Sequence, residues 1–514
     1  MRPFVLFAFW ATVLASSSGA ASGATRPPLD QPTAWSAGDP TSPAAAFEIG
    51  GRSVVRLPCN FSDGIERAYW DADVALDLAE ARGIRFQLYC GKPEPIGGFT
   101  FYFRAGDAWY SAPFSLDAAE QWCTVAIDKL DTTVEGAAGG WTRIDRLRLA
   151  AWRGADEDTE LYVAGFAVVR GPSTSGRGDG EDARIVLVRA ESAAGDARTV
   201  KDTAQRVGRF LDDLGVPFVP VSDLDLSPAR LEGKRVAVLP YNPDMSAEAT
   251  DALRTFLQHD GRLVSFYTLP EALAIAVGLQ RGRHVSQPRP GYFASIRPTE
   301  SAAGGLTGLP PVTAQASWNI IEWVARSQPS RGASAGQAGD RPQQAAGVAA
   351  TWYDVDGNPT GHPAIVVTDR AAHMTHILLR DDPANKAVLL LAMIGRFLPE
   401  CWEQAATTRL ARAGAIGPFR DFDSARRGIR ERIDGGAGDD LLTAAEALHA
   451  QARAHVAAGE YAEALARTGQ LRETLTRAWC AVQSRGARDE FRGFWCHDAF
   501  GVAGMTWDAE SVMT

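Results

Sequence analysis

The chain reads as a multidomain protein: a β-sandwich, a parallel α/β unit, a helical hairpin, and one strand with half a helix of a further unit. Three observations predict this. Residues 47–170 fall into short segments that alternate apolar and polar with period two, residues 183–403 mix continuous apolar runs with helical periodicity, and residues 404–488 carry two long amphipathic stretches. At 514 residues the chain has room for about three domains of ordinary size.

Composition narrows the class. Hydrophobic residues at 46% and charged residues at 22% make a globular mixture, and the net charge of −10 without a cluster of Lys and Arg argues against a nucleic-acid surface. Residues 1–24 have a lone positive charge at Arg2, an apolar run from Phe4 to Ala15 and a small-residue stretch from Ser16 to Ala24. That is the layout of a secretory signal peptide, and the run of about 12 residues is short of the ~20 a spanning helix needs. The expectation is a secreted or periplasmic protein with no membrane span in the mature chain. The six cysteines, Cys59, Cys90, Cys123, Cys401, Cys480 and Cys496, contain no CxxC clip, so no zinc site is expected, and buried free thiols are preferred to a disulfide.

The elements follow in order. Residues 25–46 are rich in Pro, Ala, Ser and Gly without apolar periodicity, which predicts a mobile linker. From residue 47 to 170, RGIRFQLYC, GFTFYFRAG, WCTVAIDKL, RIDRLRLAAW and LYVAGFAVV read as antiparallel strands of a sandwich or jelly roll. Residues 171–182 form a second linker. In residues 183–403, ARIVLVRA, VPFVPV, KRVAVLP and GRLVSFYT are strands of a parallel sheet, and Val200, Ala204, Val207, Leu211 and Leu214 share a helical face. Low-complexity residues 327–347 predict a disordered insertion. Beyond it, Gly347–Asp369 reads as a hairpin turning at Asp356 and Gly357. Residues 404–488 are a helical connector whose stretches Leu441–Ala458 and Tyr461–Val482 make an antiparallel hairpin.

Residues 489–514, DEFRGFWCHDAFGVAGMTWDAESVMT, supply one strand, a loop and a helix start. This segment resembles the opening of the catalytic (β/α)8 (TIM) barrel in glycoside-hydrolase-like family 10 proteins, on Arg492, Gly493, Trp495, Trp507 and Asp508. The resemblance implies that the chain is the accessory region of such a protein, with a barrel truncated after its first βα unit. His497 and Asp498, at the expected strand end, become candidate substrate contacts.

The sandwich resembles the carbohydrate-binding modules and galactose-binding-like domains of secreted hydrolases, on AYWDADVALDL, FYFRAGDAWYSAPF, AEQWCTVAIDKL and GGWTRIDRLRLAAW. Sugars present flat C–H faces that stack on Trp and Tyr, so Trp109, Tyr110 and Trp70 are the candidate glycan contacts. The first two follow the turn Ala105-Gly106-Asp107, whereas Trp122, Trp141 and Trp152 lie beside strand starts and read as core. Asn60, Ser62 and Asp63 offer oxygen ligands for calcium, with a plain turn as the other reading.

The α/β unit resembles the flavodoxin-like class I glutamine-amidotransferase fold, and more closely the trimerisation domain of some β-galactosidases, on Gly261–Leu279 and Thr375–Asp382. The resemblance implies a homo-oligomer through this unit. It also implies a cysteine nucleophile on the turn after a strand, but RLVSF is followed by Tyr267 and Thr268, and no cysteine occurs between Cys123 and Cys401. Ser265 and Thr268 with His362, His373 and His376 remain, without a GxSxG elbow, and no metal or cofactor is called for. The expectation is a secreted carbohydrate-active protein whose glycan-binding portion is present and whose enzymatic status the sequence leaves open. The alternative is a noncatalytic glycan-binding or assembly protein.

Overall fold

The computed structural model describes residues 29–116, 119–170, 183–299, 306–325, 347–433 and 437–486. The expected signal peptide, residues 171–182, residues 489–514 with His497 and Asp498, and all of 327–347 but Gly347 lie outside the described residues.

The sandwich consists of β1 (Ser36–Ala37), β2 (Ala45–Ile49), β3 (Arg52–Cys59), β4 (Arg67–Leu76), β5 (Gly83–Cys90), β6 (Ile96–Ala105), β7 (Ala108–Phe114), β8 (Cys123–Asp128), β9 (Thr133–Glu135), β10 (Ile144–Arg153) and β11 (Thr159–Val169). A six-stranded sheet runs β1-β4-β10-β6-β7-β9 and a five-stranded sheet runs β2-β3-β11-β5-β8. Strand alternation sets the core. In β4, Ala68, Trp70 and Ala72 are buried while Tyr69, Asp71 and Asp73 have the opposite parity. Phe86 stacks on Phe166 with ring centroids 4.8 Å apart, and Phe101, Phe103 and Trp141 are buried with them. Each such side chain contributes roughly 1.5–3 kcal/mol by leaving water.

The linker expected at 25–46 is packed in its described part. Leu29 and Trp35 sit in the sandwich core, the Trp35 indole N–H donates to the Leu29 carbonyl at 2.9 Å, and β1 and β2 pair with β4 and β3. Isolated apolar anchors dock without periodicity, which is why the pattern was silent there.

The α/β unit contains β12 (Ile185–Arg189), α1 (Ala197–Leu214), β13 (Phe218–Ser222), β14 (Val236–Leu239), α2 (Ala247–Gln258), β15 (Arg262–Phe266), α3 (Glu271–Ala276), β16 (Leu279–Ser286), β17 (Phe293–Pro298), β18 (Thr313–Ser317), β19 (Asn319–Ala325), β20 (Gly347–Tyr353), β21 (Pro359–Val367), β22 (Ala371–Met374) and α4 (Pro383–Gly395). Nine strands order as β13-β12-β14-β15-β22-β21-β20-β17-β18. The sheet is parallel from β13 to β22 and antiparallel beyond. Parallel strands bury both faces, and Val236–Leu239 is buried at every position. The helical face expected from Val200 to Leu214 packs inward. The hairpin turn forms at Asp354–Asn358, with Gly357 at φ 81° and the Asp354 carboxylate accepting from the Asp356 and Asn358 N–H groups.

Four helices follow: α5 (Glu400–Ala411), α6 (Phe422–Arg430), α7 (Ala437–Ala458) and α8 (Tyr461–Gly486). The hairpin of α7 and α8 turns at Gly459, φ 76°, and closes on Leu442, Leu471, Leu475 and Trp479. Among the described residues no helix is long and apolar enough to cross a membrane.

Candidate functional site

The outer face of the six-stranded sheet is built by parity. Pairing places Tyr69 beside Ala150, Asp71 beside Arg148, Arg148 beside Tyr102, and Arg104 beside both Arg146 and Trp109. These positions alternate with the core residues of β4, β10, β6 and β7, so they share the side away from the five-stranded sheet. Trp152, 39% exposed, belongs to the same face, and its indole N–H donates to Thr100 Oγ1 at 3.0 Å.

Charges and rings interleave on this surface. Arg148 grips Asp71 with two bonds, 2.6 and 2.9 Å, and its guanidinium carbon lies 4.2 Å from the Tyr69 ring centroid and 4.6 Å from that of Trp109. Tyr102 meets Trp109 edge-on at 5.9 Å. Arg146 pairs with Asp73 at 2.7 Å and Arg104 with Asp145 at 2.6 Å. Cation–π contacts and bidentate pairing hold these side chains in defined positions, so little freedom is lost when a ligand arrives. Tyr102 is itself buried, and the rings of Tyr69, Trp109 and Trp152 with their hydrogen-bonding rims suit a molecule with a C–H face and a hydroxyl edge.

Of the three sequence candidates, only Trp109 belongs to this face. Trp70 and Tyr110 are fully buried and offer no ring face to a ligand. Trp70 has the inward parity of β4, and its indole N–H donates to the Ser42 carbonyl at 3.0 Å. Tyr110 follows Trp109 by one residue and therefore points the other way. Its hydroxyl donates to Glu191 Oε2 at 2.9 Å and accepts from the Gly140 N–H at 3.0 Å.

That bond belongs to a buried polar joint between the sandwich and the α/β unit. Trp141 donates from its indole to Glu191 Oε1 at 3.0 Å and from its backbone to Asp225 Oδ2 at 2.6 Å. Thr142 Oγ1 donates to Asp225 Oδ1 at 2.7 Å. Arg82, nearly buried, bridges Asp128 and Asp212. The Lys129 ammonium donates to the carbonyls of Leu78 and Ala79; burial pushes it down to about 8, against the pull of Glu191 and Asp225.

The carboxyl ends of the parallel strands hold the second group of sequence candidates. His373 lies inside β22. Its Nδ1 is 2.8 Å from Ser265 Oγ, and both residues are fully buried. Burial alone holds His373 down at about 3, so the ring is neutral. Tyr267 occupies the turn after β15 at φ 59°, its hydroxyl donating to Asn319 Oδ1 at 2.7 Å. His376 packs against the Tyr267 ring and is pushed by burial to about 4. His362 pairs instead with Glu322 at 2.7 Å, so the structure does not gather the histidines. Among the described residues no group of His, Cys, Asp or Glu is arranged to hold a metal. Asn60–Gly64 forms a single turn closed by Gly64 at φ 81°.

Sequence reasoning missed Tyr69, Tyr102, Arg148 and Trp152, and assigned Trp152 to the core. A signal was present: each shares strand parity with charged residues, Tyr69 with Asp71 and Asp73, Tyr102 with Arg104, and Trp152 with Arg146 and Arg148.

No family model matches the chain, and no curated protein matches it significantly. Partial similarity extends to solved glycoside hydrolases, a ThuA-like protein and carbohydrate-binding modules. A β-galactosidase from Bacillus circulans sp. alkalophilus is 14% identical over 43% of this chain and 31% of its own, with a TM-score of 0.30. The chain thus spans about a third of that enzyme's length. A ThuA-like protein from Bacteroides uniformis ATCC 8492 is 13% identical over 41% of this chain and 90% of its own, TM-score 0.30. A family 11 carbohydrate-binding module from Clostridium thermocellum, in complex with a β-1,3-1,4-mixed-linked tetrasaccharide, is 11% identical over 26% of this chain and 88% of its own, TM-score 0.21. Likenesses this low assign neither family nor activity, and the family 10 resemblance is not established by them.

Proposed function

We propose that this chain is the glycan-binding portion of a carbohydrate-active protein and that it binds polysaccharide on the outer face of the six-stranded sheet. The observation that carries the reading is the placement of Tyr69, Trp109 and Trp152 on one face with Arg–Asp pairs between them. Trp152 and Trp109 are two strands and three outward positions apart, a diagonal of roughly 20 Å at ordinary strand spacings, long enough for several pyranose rings in a row. The rings supply stacking, and the carboxylates and guanidinium groups supply acceptors and donors for hydroxyls.

The α/β unit acts in this reading as a support. The hydroxyl–imidazole pair of Ser265 and His373 is sealed from solvent, and the protein is proposed to do no chemistry there. Homo-oligomerisation through this unit, export by residues 1–24 and the galactose-binding-like, amidotransferase-like and family 10 resemblances enter as further parts of the proposal. Sedimentation of the purified protein and N-terminal sequencing of the exported form test the first two.

Affinity electrophoresis against a panel of soluble polysaccharides tests the main reading. Retardation by at least one polymer, lost in Trp109→Ala, is expected. Absence of retardation by every polymer, or retardation unchanged in Trp109→Ala and Trp152→Ala, overturns it.

A further inference from the structure

One cation on the proposed face differs from the rest. Arg104, Arg146 and Arg148 each pair with a carboxylate at 2.6 to 2.7 Å. Arg67 makes no ion pair among the described residues. Its guanidinium carbon instead lies 4.9 Å from the Tyr69 ring centroid and 5.1 Å from that of Trp152, and Arg67 and Trp152 are partners in register on β4 and β10.

The ground on the far side of Trp152 from Arg67 is open. Trp152 pairs on its other side with Gly98, where no atom lies within 4 Å of the position a Cβ would take. The indole is tied at one edge through its N–H to Thr100 and is the most exposed ring of the face. A sugar set over Gly98 against this indole has the Arg67 guanidinium across the ring from it, its donors not engaged by protein carboxylates among the described residues.

We infer that the Trp152 end of the face recognises an acidic sugar, a uronate whose carboxylate pairs with Arg67. This deepens the glycan-binding reading and rests on it. The argument is one of chemistry. A guanidinium presents planar, forked donors that match a planar carboxylate with two parallel bonds, whereas a single sugar hydroxyl uses only part of that fork. Packing between two rings restricts the side chain before the ligand arrives, which lowers the cost of ordering it. A sulfate ester offers similar charge without the planar match, so it is the competing source of the anion.

Matched polymers separate the outcomes. Polygalacturonate and glucuronoxylan are compared with their carboxyl-reduced neutral forms, and carrageenan supplies sulfate without carboxylate. The expected result is about tenfold tighter binding of the acidic member of at least one pair, a charge-assisted bond being worth that much. The preference should fall between about 50 and about 500 mM NaCl, as an exposed ion pair does. It should vanish in Arg67→Gln and shrink in Arg67→Lys, which keeps the charge and loses the fork, with unfolding temperatures unchanged in both. Equal binding of acidic and neutral members, or a preference that survives Arg67→Gln, overturns the inference while leaving glycan binding intact. A preference for carrageenan alone overturns the uronate assignment. Failure of the wild-type protein to bind any polymer overturns the glycan reading itself, and this inference with it.

Discussion

Trp109 and Tyr110 are neighbours in sequence and serve opposite sides of one strand. Trp109 lies on the outer face under the Arg148 guanidinium, while the Tyr110 hydroxyl donates to Glu191 of the α/β unit. One strand thus joins a candidate binding surface to the joint that fixes the sandwich on its neighbour. The pair also separates two kinds of tryptophan and tyrosine that composition alone cannot distinguish.

Trp109→Ala and Trp70→Ala should part company accordingly. Trp109→Ala is expected to weaken polysaccharide binding about tenfold or more while costing no more than about 1 kcal/mol of stability, since the ring is half-exposed. Trp70→Ala leaves a cavity in the sandwich core and should cost about 3–5 kcal/mol. Chemical denaturation beside affinity electrophoresis reads both; equal destabilisation by the two variants contradicts the assignment.

Asp225→Ala should loosen the joint. It leaves the backbone N–H groups of Trp141 and Thr142 and the Thr142 hydroxyl without their acceptor. An unsatisfied buried donor costs about 1–3 kcal/mol, so calorimetry is expected to show a sandwich transition split from that of the α/β unit. A single transition at the wild-type temperature would rule out a stabilising role for this carboxylate.

Acid should destabilise the α/β unit through its histidines. In the folded protein His373 lies at about 3 and His376 at about 4, both below the ordinary 6.5 and both lowered first by burial. As the pH falls below about 6.5 the unfolded chain takes up protons that the folded chain refuses, so stability is lost progressively down to the folded values. Each ring should contribute on the order of 1–2 kcal/mol of that loss by pH 5. Urea midpoints at pH 7 and pH 5, compared between the wild type and the His373→Gln and His376→Gln variants, check this; an unaltered pH slope in both variants refutes it.

Ser265 should resist a fluorophosphonate probe. Its hydroxyl is fully buried against His373, and the adjoining turn is occupied by a phenol tied to Asn319. Labelling that is lost in Ser265→Ala would show an accessible nucleophile and reopen the α/β unit as a catalyst.

Much of the architecture was legible because periodicity is a local property. The alternating segments between Gly83 and Val169 became strands of two antiparallel sheets, and the face from Val200 to Leu214 became the buried side of α1. Asp354–Asn358 formed the expected turn. The antiparallel half of the nine-stranded sheet was less legible, since β17 is separated in sequence from β20, the strand beside which it finishes. The packing of Leu29 and Trp35 had no local pattern to announce it.

For the candidate site, the sequence alone determined the aromatic supply, the absence of a cysteine from the middle of the chain, and the parity that sends Trp109 and Tyr110 to opposite sides. Tertiary structure decided which side was core. A strand's period of two defines two faces and labels neither; only the packing of the five-stranded sheet against Trp70, Phe101 and Phe103, and of Glu191 against Tyr110, left Tyr69, Arg67, Trp109 and Trp152 on the outside. Burial of one face is a collective outcome of strand pairing between distant segments, and no single segment encodes it.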